Sequence, residues 1–266
     1  MQTQVQGASI YYNERGTGTP TLFLHGVPDS AEMWNPIIDQ MQAKYRCIAL
    51  DLPGLTTRSQ LPAGFDFKLP SMAKFIDGFL TAIGITEPIN LVFGDFGAVY
   101  GLAFAITCPN KVRKMALAGS VGFTPDYEWH QTAKLWRTPI LGDLSMMLMS
   151  EGVFKNAMKS AAPTLSPEHW YDTYALAAAS GAVKRSILRQ YRAIDTKGYA
   201  TWEPKLLELT ETVPMIVLWG DKDEFISSRF ADRFGAKEVR HYPNYGHWIA
   251  VEAPDEMAAK ISAFFG

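Results

Sequence analysis

Residues 91–101 read LVFGDFGAVYG, and two unrelated chemistries lay claim to them. As a nucleotide signature the stretch offers a D-F-G triplet for magnesium, or the F-G-x-V-Y end of a glycine-rich loop. As a structural signature it is a strand, a sharp turn and a helix, with an acidic side chain at the tip. The nucleotide readings fail on context. Val92 stands where the first loop glycine belongs, no V-A-I-K run follows, no H-R-D-x-x-x-x-N loop precedes the triplet, and no G-x-x-x-x-G-K-[ST] occurs anywhere.

The strand-turn-helix reading gains from its surroundings. The apolar run at 89–93 enters Gly94-Asp95-Phe96-Gly97-Ala98, and residues 99–107 continue as an apolar helix. Small residues flank a turn of this kind because it is too tight for a bulky Cβ, and the tip side chain projects above the sheet. Taken alone, Asp95 reads equally well as a helix cap and as a nucleophile.

Working outward, short apolar runs recur at 21–24, 47–50, 89–93, 115–118 and 215–219, with helical patterns such as 30–41 and 71–83 between them. Runs so short and so uniformly apolar are buried parallel strands, so the chain is α/β. Residues 3–13 read as an antiparallel pair at the sheet edge. After Gly122 the alternation stops: residues 124–204 are helical in character, rich in Trp, Met and Tyr and broken by prolines. The expected organisation is a core of residues 1–123 and 205–266 with a helical cap at 124–204.

Composition narrows the function classes. The 266 residues are 47% hydrophobic and 20% charged with a formal net charge of -2. That profile suits a globular enzyme and offers no basic footprint for nucleic acid or anionic membrane. A small, largely apolar substrate is expected. Cys47 and Cys108 are the two cysteines, expected as buried spacers without a disulfide. The first residues carry no basic-then-apolar pattern, so a cytoplasmic protein is expected. The five histidines lack H-x-x-x-H or H-x-H spacing and no G-x-G-x-x-G follows the first parallel strand, so neither a metal nor a nucleotide cofactor is expected.

Five motifs, His25-Gly-Val-Pro28, Asp51-Leu-Pro-Gly54, the Asp95 elbow, Gly220-Asp-Lys-Asp-Glu-Phe225 and Tyr245-Gly-His-Trp248 with its continuation, together resemble the α/β-hydrolase family. The resemblance spans essentially the whole chain. It is strongest to the aspartate-nucleophile branch, the epoxide hydrolases and haloalkane dehalogenases, and within it to the epoxide hydrolases. It implies an eight-stranded, mostly parallel sheet with helices on both faces and an inserted cap, in a monomer or homodimer.

The resemblance also assigns roles. Asp95 is the nucleophile, which suits attack on an sp³ carbon, and His247 is the base that activates water against the resulting ester. Asp223 is preferred to Asp221 as the acid that orients His247, because the family's acid takes the later position. The backbone N–H groups of Val27 and Phe96 form the oxyanion hole, while His25 braces its turn. Tyr191, in RQYRA, matches the family's second cap tyrosine and would assist an epoxide oxygen. Thr132 lies near the position of the first, leaving His130 or Trp136 to supply the missing donor, with Tyr171, Tyr174 and Trp248 as further pocket candidates. Phe93, bulky where a small residue is usual, and Leu55-Thr56-Thr57 in place of a glycine-containing turn depart from the pattern.

Two alternatives accompany this reading. The stretch Trp136-Gly142, WRTPILG, resembles the dehalogenases, although Phe96 and Val27 stand where those enzymes carry halide-binding Trp and Asn. A non-catalytic protein of the same fold, binding a small hydrophobic ligand, is the alternative from another class.

Overall fold

The computed structural model describes residues 1–162, 164–165 and 167–266, without the side chains of Ser160, Pro167, Glu168 and Tyr171. Eight strands form one sheet in the order β1-β2-β4-β3-β5-β6-β7-β8. β1 (Gln2–Val5) and β2 (Ala8–Arg15) make an antiparallel hairpin whose second strand is antiparallel to β4. β3 (Thr19–Leu24), β4 (Tyr45–Leu50), β5 (Ile89–Gly94), β6 (Val112–Ser120), β7 (Met215–Gly220) and β8 (Glu238–Tyr242) pair in parallel.

Helices cover both faces, which explains why the strands read as unbroken apolar runs. Successive side chains point to opposite faces of a sheet, and here both faces are dry. Leu22, Leu91, Phe93, Leu117 and Val217 enter one core, packed by α2 (Leu69–Ala82) and α3 (Asp95–Thr107). Phe23, Val92, Ala116 and Ile216 enter the other, against α1 (Asn35–Met41) and the C-terminal helix described below. The helix expected over 30–41 is split into a 3₁₀ turn, Ala31–Trp34, and α1. Pro36 explains the break, since it has no N–H to donate to the preceding turn. Cys47 is fully buried and its thiol is pushed up to about 12 by burial, whereas Cys108, at the end of α3, is only half-buried.

Between β6 and β7 the described residues contain helices and no strand: α4 (Gln131–Arg137), α5 (Leu141–Leu148), α6 (Glu151–Ala161), α7 (Pro167–Thr173), a π-helical turn at Tyr174–Ala178, α8 (Gly181–Ala193) and α9 (Glu203–Thr212). Phe154, Ala162, Trp170 and Ala178 form a small core with Trp248, which belongs to the loop after β8. α10 (Ile249–Glu252) and α11 (Pro254–Phe265) complete the chain. No helix among the described residues is long and apolar enough to cross a membrane.

Candidate active site

The C-terminal ends of the parallel strands lie along one edge of the sheet, where open α/β sheets bind their ligands. Asp95 directly follows β5 with φ of 46°, a left-handed conformation that is uncommon for a non-glycine residue. Its neighbours hold it there. A Cβ on Gly26 would lie 2.3 Å from the Asp95 carboxylate, and a Cβ on Gly97 would lie 2.3 Å from the Leu24 carbonyl oxygen. Phe93 leaves the elbow intact because Gly101 yields to it: a Cβ there would meet the Phe93 ring at 2.5 Å.

Three side chains from three loops meet at this point. Asp95 Oδ1 accepts the Val27 N–H at 2.8 Å. Asp95 Oδ2 lies 3.5 Å from His247 Nε2. On its other side, His247 Nδ1 is 2.7 Å from Asp223 Oδ2, and Asp223 Oδ1 accepts the N–H groups of Phe225 and Ile226 at 2.8 and 2.9 Å. Asp221 points elsewhere, pairing with the exposed His241 at 2.7 Å. The Phe96 N–H belongs to the first turn of α3, where backbone donors have no partner within the helix. Burial pushes the His247 imidazolium towards losing its proton, but the Asp223 and Asp95 carboxylates more than offset this and raise it to about 10.

The surrounding loops are braced by buried polar contacts. His25 accepts the Leu52 N–H at Nε2, 2.9 Å, so its proton sits on Nδ1 and donates to the Gly26 carbonyl at 2.7 Å. Burial lowers its pKa, keeping it neutral. Asp51, wholly buried, takes two bonds from Arg58, one from Thr56 and one from the Ala31 N–H. Thr56 thus supplies a contact in the loop that lacks the usual glycine, while the Thr57 N–H reaches the Leu176 carbonyl at 2.8 Å.

A cavity of about 330 Å³ stands over Asp95, a normal size for a small-molecule site. Tyr191, His130, Trp136 and Trp248 line it together with Asp95 and His247. Tyr191 stands edge-on to Phe96 at 4.8 Å and to Trp136 at 5.1 Å. Burial, helped by the nearby Asp95 charge, raises its phenol well above the ordinary range, so it remains an O–H donor. His130 caps α4, accepting the Ala133 N–H on Nδ1 at 3.4 Å. Burial lowers its pKa to about 4, so the ring is neutral and carries its proton on Nε2. Tyr174 does not line the cavity, because its ring packs on Phe154 at 5.5 Å. The Tyr171 side chain lies outside the described residues. Met146 and Met149 line the cavity, while Met147 is exposed.

Three residues escaped the sequence reading. Tyr127 and Trp129 line the cavity with buried donor atoms that have no partner among the described residues. Trp129 also stacks on Phe96 at 6.0 Å. Neither sits in a motif, and nothing in the position of a Trp or Tyr along the chain separates core from pocket. Asp29, one residue past HGVP, is buried. Its Oδ1 accepts the Ser30 N–H, while Oδ2 has no hydrogen-bond partner within bonding geometry among the described residues. Burial raises its pKa to about 7. It borders a small cavity of about 20 Å³ shared with Asp95 and His247, room for a single water.

Residues 19–254 match the family described as the alpha/beta hydrolase fold, and the chain belongs to it: this is an α/β-hydrolase enzyme. Among curated relatives, haloalkane dehalogenase 2 of Mycobacterium tuberculosis is 26% identical over 271 residues, covering 97% of this chain and 91% of the relative. Epoxide hydrolase 3 of Mus musculus is 25% identical over 277 residues, covering 94% and 71%. The crystal structure of an ancestral haloalkane dehalogenase superposes with a TM-score of 0.83 at 26% identity, covering 99% of this chain and 97% of that one.

Proposed function

We propose that the protein opens epoxides to vicinal diols through an alkyl ester on Asp95, with the helices of residues 124–204 acting as a cap over the reaction. One observation carries this reading: the two carboxylate oxygens of Asp95 have different surroundings. Oδ1 is held by the Val27 N–H, whereas Oδ2 meets the cavity side and His247. Oδ2 attacks an epoxide carbon, the ring C–O bond breaks, and the departing oxygen receives a proton from the Tyr191 hydroxyl or the His130 Nε2–H. These two donors fill the roles that a pair of cap tyrosines would otherwise share.

The second step follows from the charge balance. Before reaction both carboxylates keep His247 protonated; once Asp95 is esterified its charge disappears and only Asp223 supports the imidazolium. His247 can then return a proton, through solvent, to the donor that protonated the epoxide oxygen, and act as base towards water, whose proton restores the imidazolium. The small cavity beside Asp29 suits that water, with Asp29 as an acceptor behind it. Attack on Cγ of Asp95 pushes negative charge onto Oδ1, which the Val27 and Phe96 N–H groups receive before the diol leaves.

The buried, unpartnered Trp129 N–H on the cavity wall favours a second reading, haloalkane dehalogenation. An indole donor stacked over Phe96 can hold a halide that lacks the usual Trp after the nucleophile. Intact-mass measurement on His247→Gln, incubated with epoxides and haloalkanes, tests both. A gain equal to a whole epoxide supports the first reading, and a gain of the alkyl group without halogen supports the second. A folded variant that gains neither counts against the ester mechanism for these substrates.

A further inference from the structure

The cavity's polar groups are distributed unevenly along α8. Lys184, Ile187 and Tyr191 all line it, a spacing that places them on one face of the helix. Tyr191 marks the catalytic end by its contact with Phe96. Lys184 is seven residues away, about 10 Å along the axis at the helical rise. The cavity walls are largely apolar, with Phe154, Ala157 and Met158 facing the same space.

The Lys184 ammonium donates to the Met149 carbonyl at 2.6 Å. That is one bond for a group with three donors, and Met149 itself lines the cavity. No carboxylate pairs with Lys184 among the described residues. Glu224, the other charged side chain on the lining apart from the triad, is exposed and adjacent to Asp223, so it belongs to the catalytic end. A point charge beside apolar walls attracts an anion more strongly than it would in water.

We propose that Lys184 recognises a carboxylate at the far end of the substrate, so that the preferred substrates are medium-chain amphiphiles with the reactive carbon at one end and the acid at the other. This rests on the cavity being the substrate site of the proposed hydrolase, and it refines the expectation of a largely apolar substrate to one with a single anchored charge.

Unreactive probes separate the two ideas. Calorimetric titration with decanoate and decanol should show decanoate binding the wild-type protein more tightly. Lys184→Met should weaken decanoate by about tenfold, the size of one charge-assisted hydrogen bond, and leave decanol unchanged. Lys184→Arg should restore much of the loss, and Lys184→Gln serves if the Met variant folds poorly. In parallel, KM for a terminal-epoxide fatty acid should rise in Lys184→Met while KM for its methyl ester does not. Decanoate affinity that ignores the substitution overturns the inference, even if both epoxides are hydrolysed. Lys184-dependent decanoate binding without any epoxide opening keeps the inference and removes the reaction assigned to the site.

Discussion

Four non-glycine residues among the described ones have positive φ, and two of them, Asp95 and Ile140, hold it in different settings. Asp95 has φ of 46° and Ile140, between α4 and α5, has φ of 69°. Asp95 is locked by Gly26, Gly97 and the Val27 N–H, with packed strands on either side. Ile140 is 72% exposed, β-branched, and anchored by an N–H bond to Asp143 Oδ2 at 3.1 Å. Strain that surrounding structure over-determines can serve a mechanism, whereas strain in the open is a local cost. The sheet edge is therefore the over-determined part of the site, whereas the helices between β6 and β7 carry their strain in the open. The exposed apolar side chains agree: apart from the chain start and α9, they fall on α4, α5, α6 and the loop joining α4 to α5.

The largest expected effect breaks the over-determined part directly. Asp95→Ala should reduce turnover by at least about 10⁴-fold, the scale seen when a nucleophile is lost, while thermal stability holds or rises. Steady-state rates beside a melting curve check both, and an active variant would end the nucleophile assignment. Gly97→Ala attacks the same elbow by geometry alone. A new methyl against the Leu24 carbonyl should cost about 3 kcal/mol and lower Tm by roughly 6–12 °C for a domain of this size. An unchanged Tm would mean that the elbow relaxes freely.

Asp29 sharpens the comparison through pH. Its folded pKa, about 7, lies above the ordinary carboxylate value of 3.8. The native state thus binds this proton more tightly than the unfolded chain does. No penalty exists below about pH 4; the penalty grows as pH rises towards 7 and is constant above. Wild-type stability should fall relative to Asp29→Asn across that window, by at most about 4 kcal/mol. Urea unfolding of both proteins at pH 4.5 and 7.5 measures the difference, and parallel profiles would contradict the burial of an ionising group there. The smallest effect concerns the open strain: Ile140→Gly should stabilise the fold by about 1 kcal/mol, read as a small rise in the urea midpoint. A loss of stability would show that Ile140 is held by packing after all.

Much of this was legible in the chain. The apolar runs marked the strands because burial on both faces removes the polar alternate positions, and the glycines around Asp95 marked a turn without room for side chains. Asp223 and His247 were named from the family resemblance, and a 2.7 Å contact joins them. Asp29, Tyr127 and Trp129 were not found, since each becomes notable only through what it fails to bond in a buried setting. Tyr174, a pocket candidate, does not line the cavity for a related reason: in the helical segments between β6 and β7 an aromatic serves core and cavity with the same periodicity, and its ring packs on Phe154.

Local sterics and short-range spacing in the chain were enough to read the order of strands and helices and the elbow, while the resemblance to the α/β-hydrolases named Asp95, His247 and Asp223. Tertiary structure alone decided which Asp95 oxygen faces His247, that His130 is neutral with its proton on Nε2, and that Lys184 and Tyr191 share one wall. Those properties arise from contacts between residues distant in the chain, where burial and neighbouring charge, rather than residue type, set the chemistry.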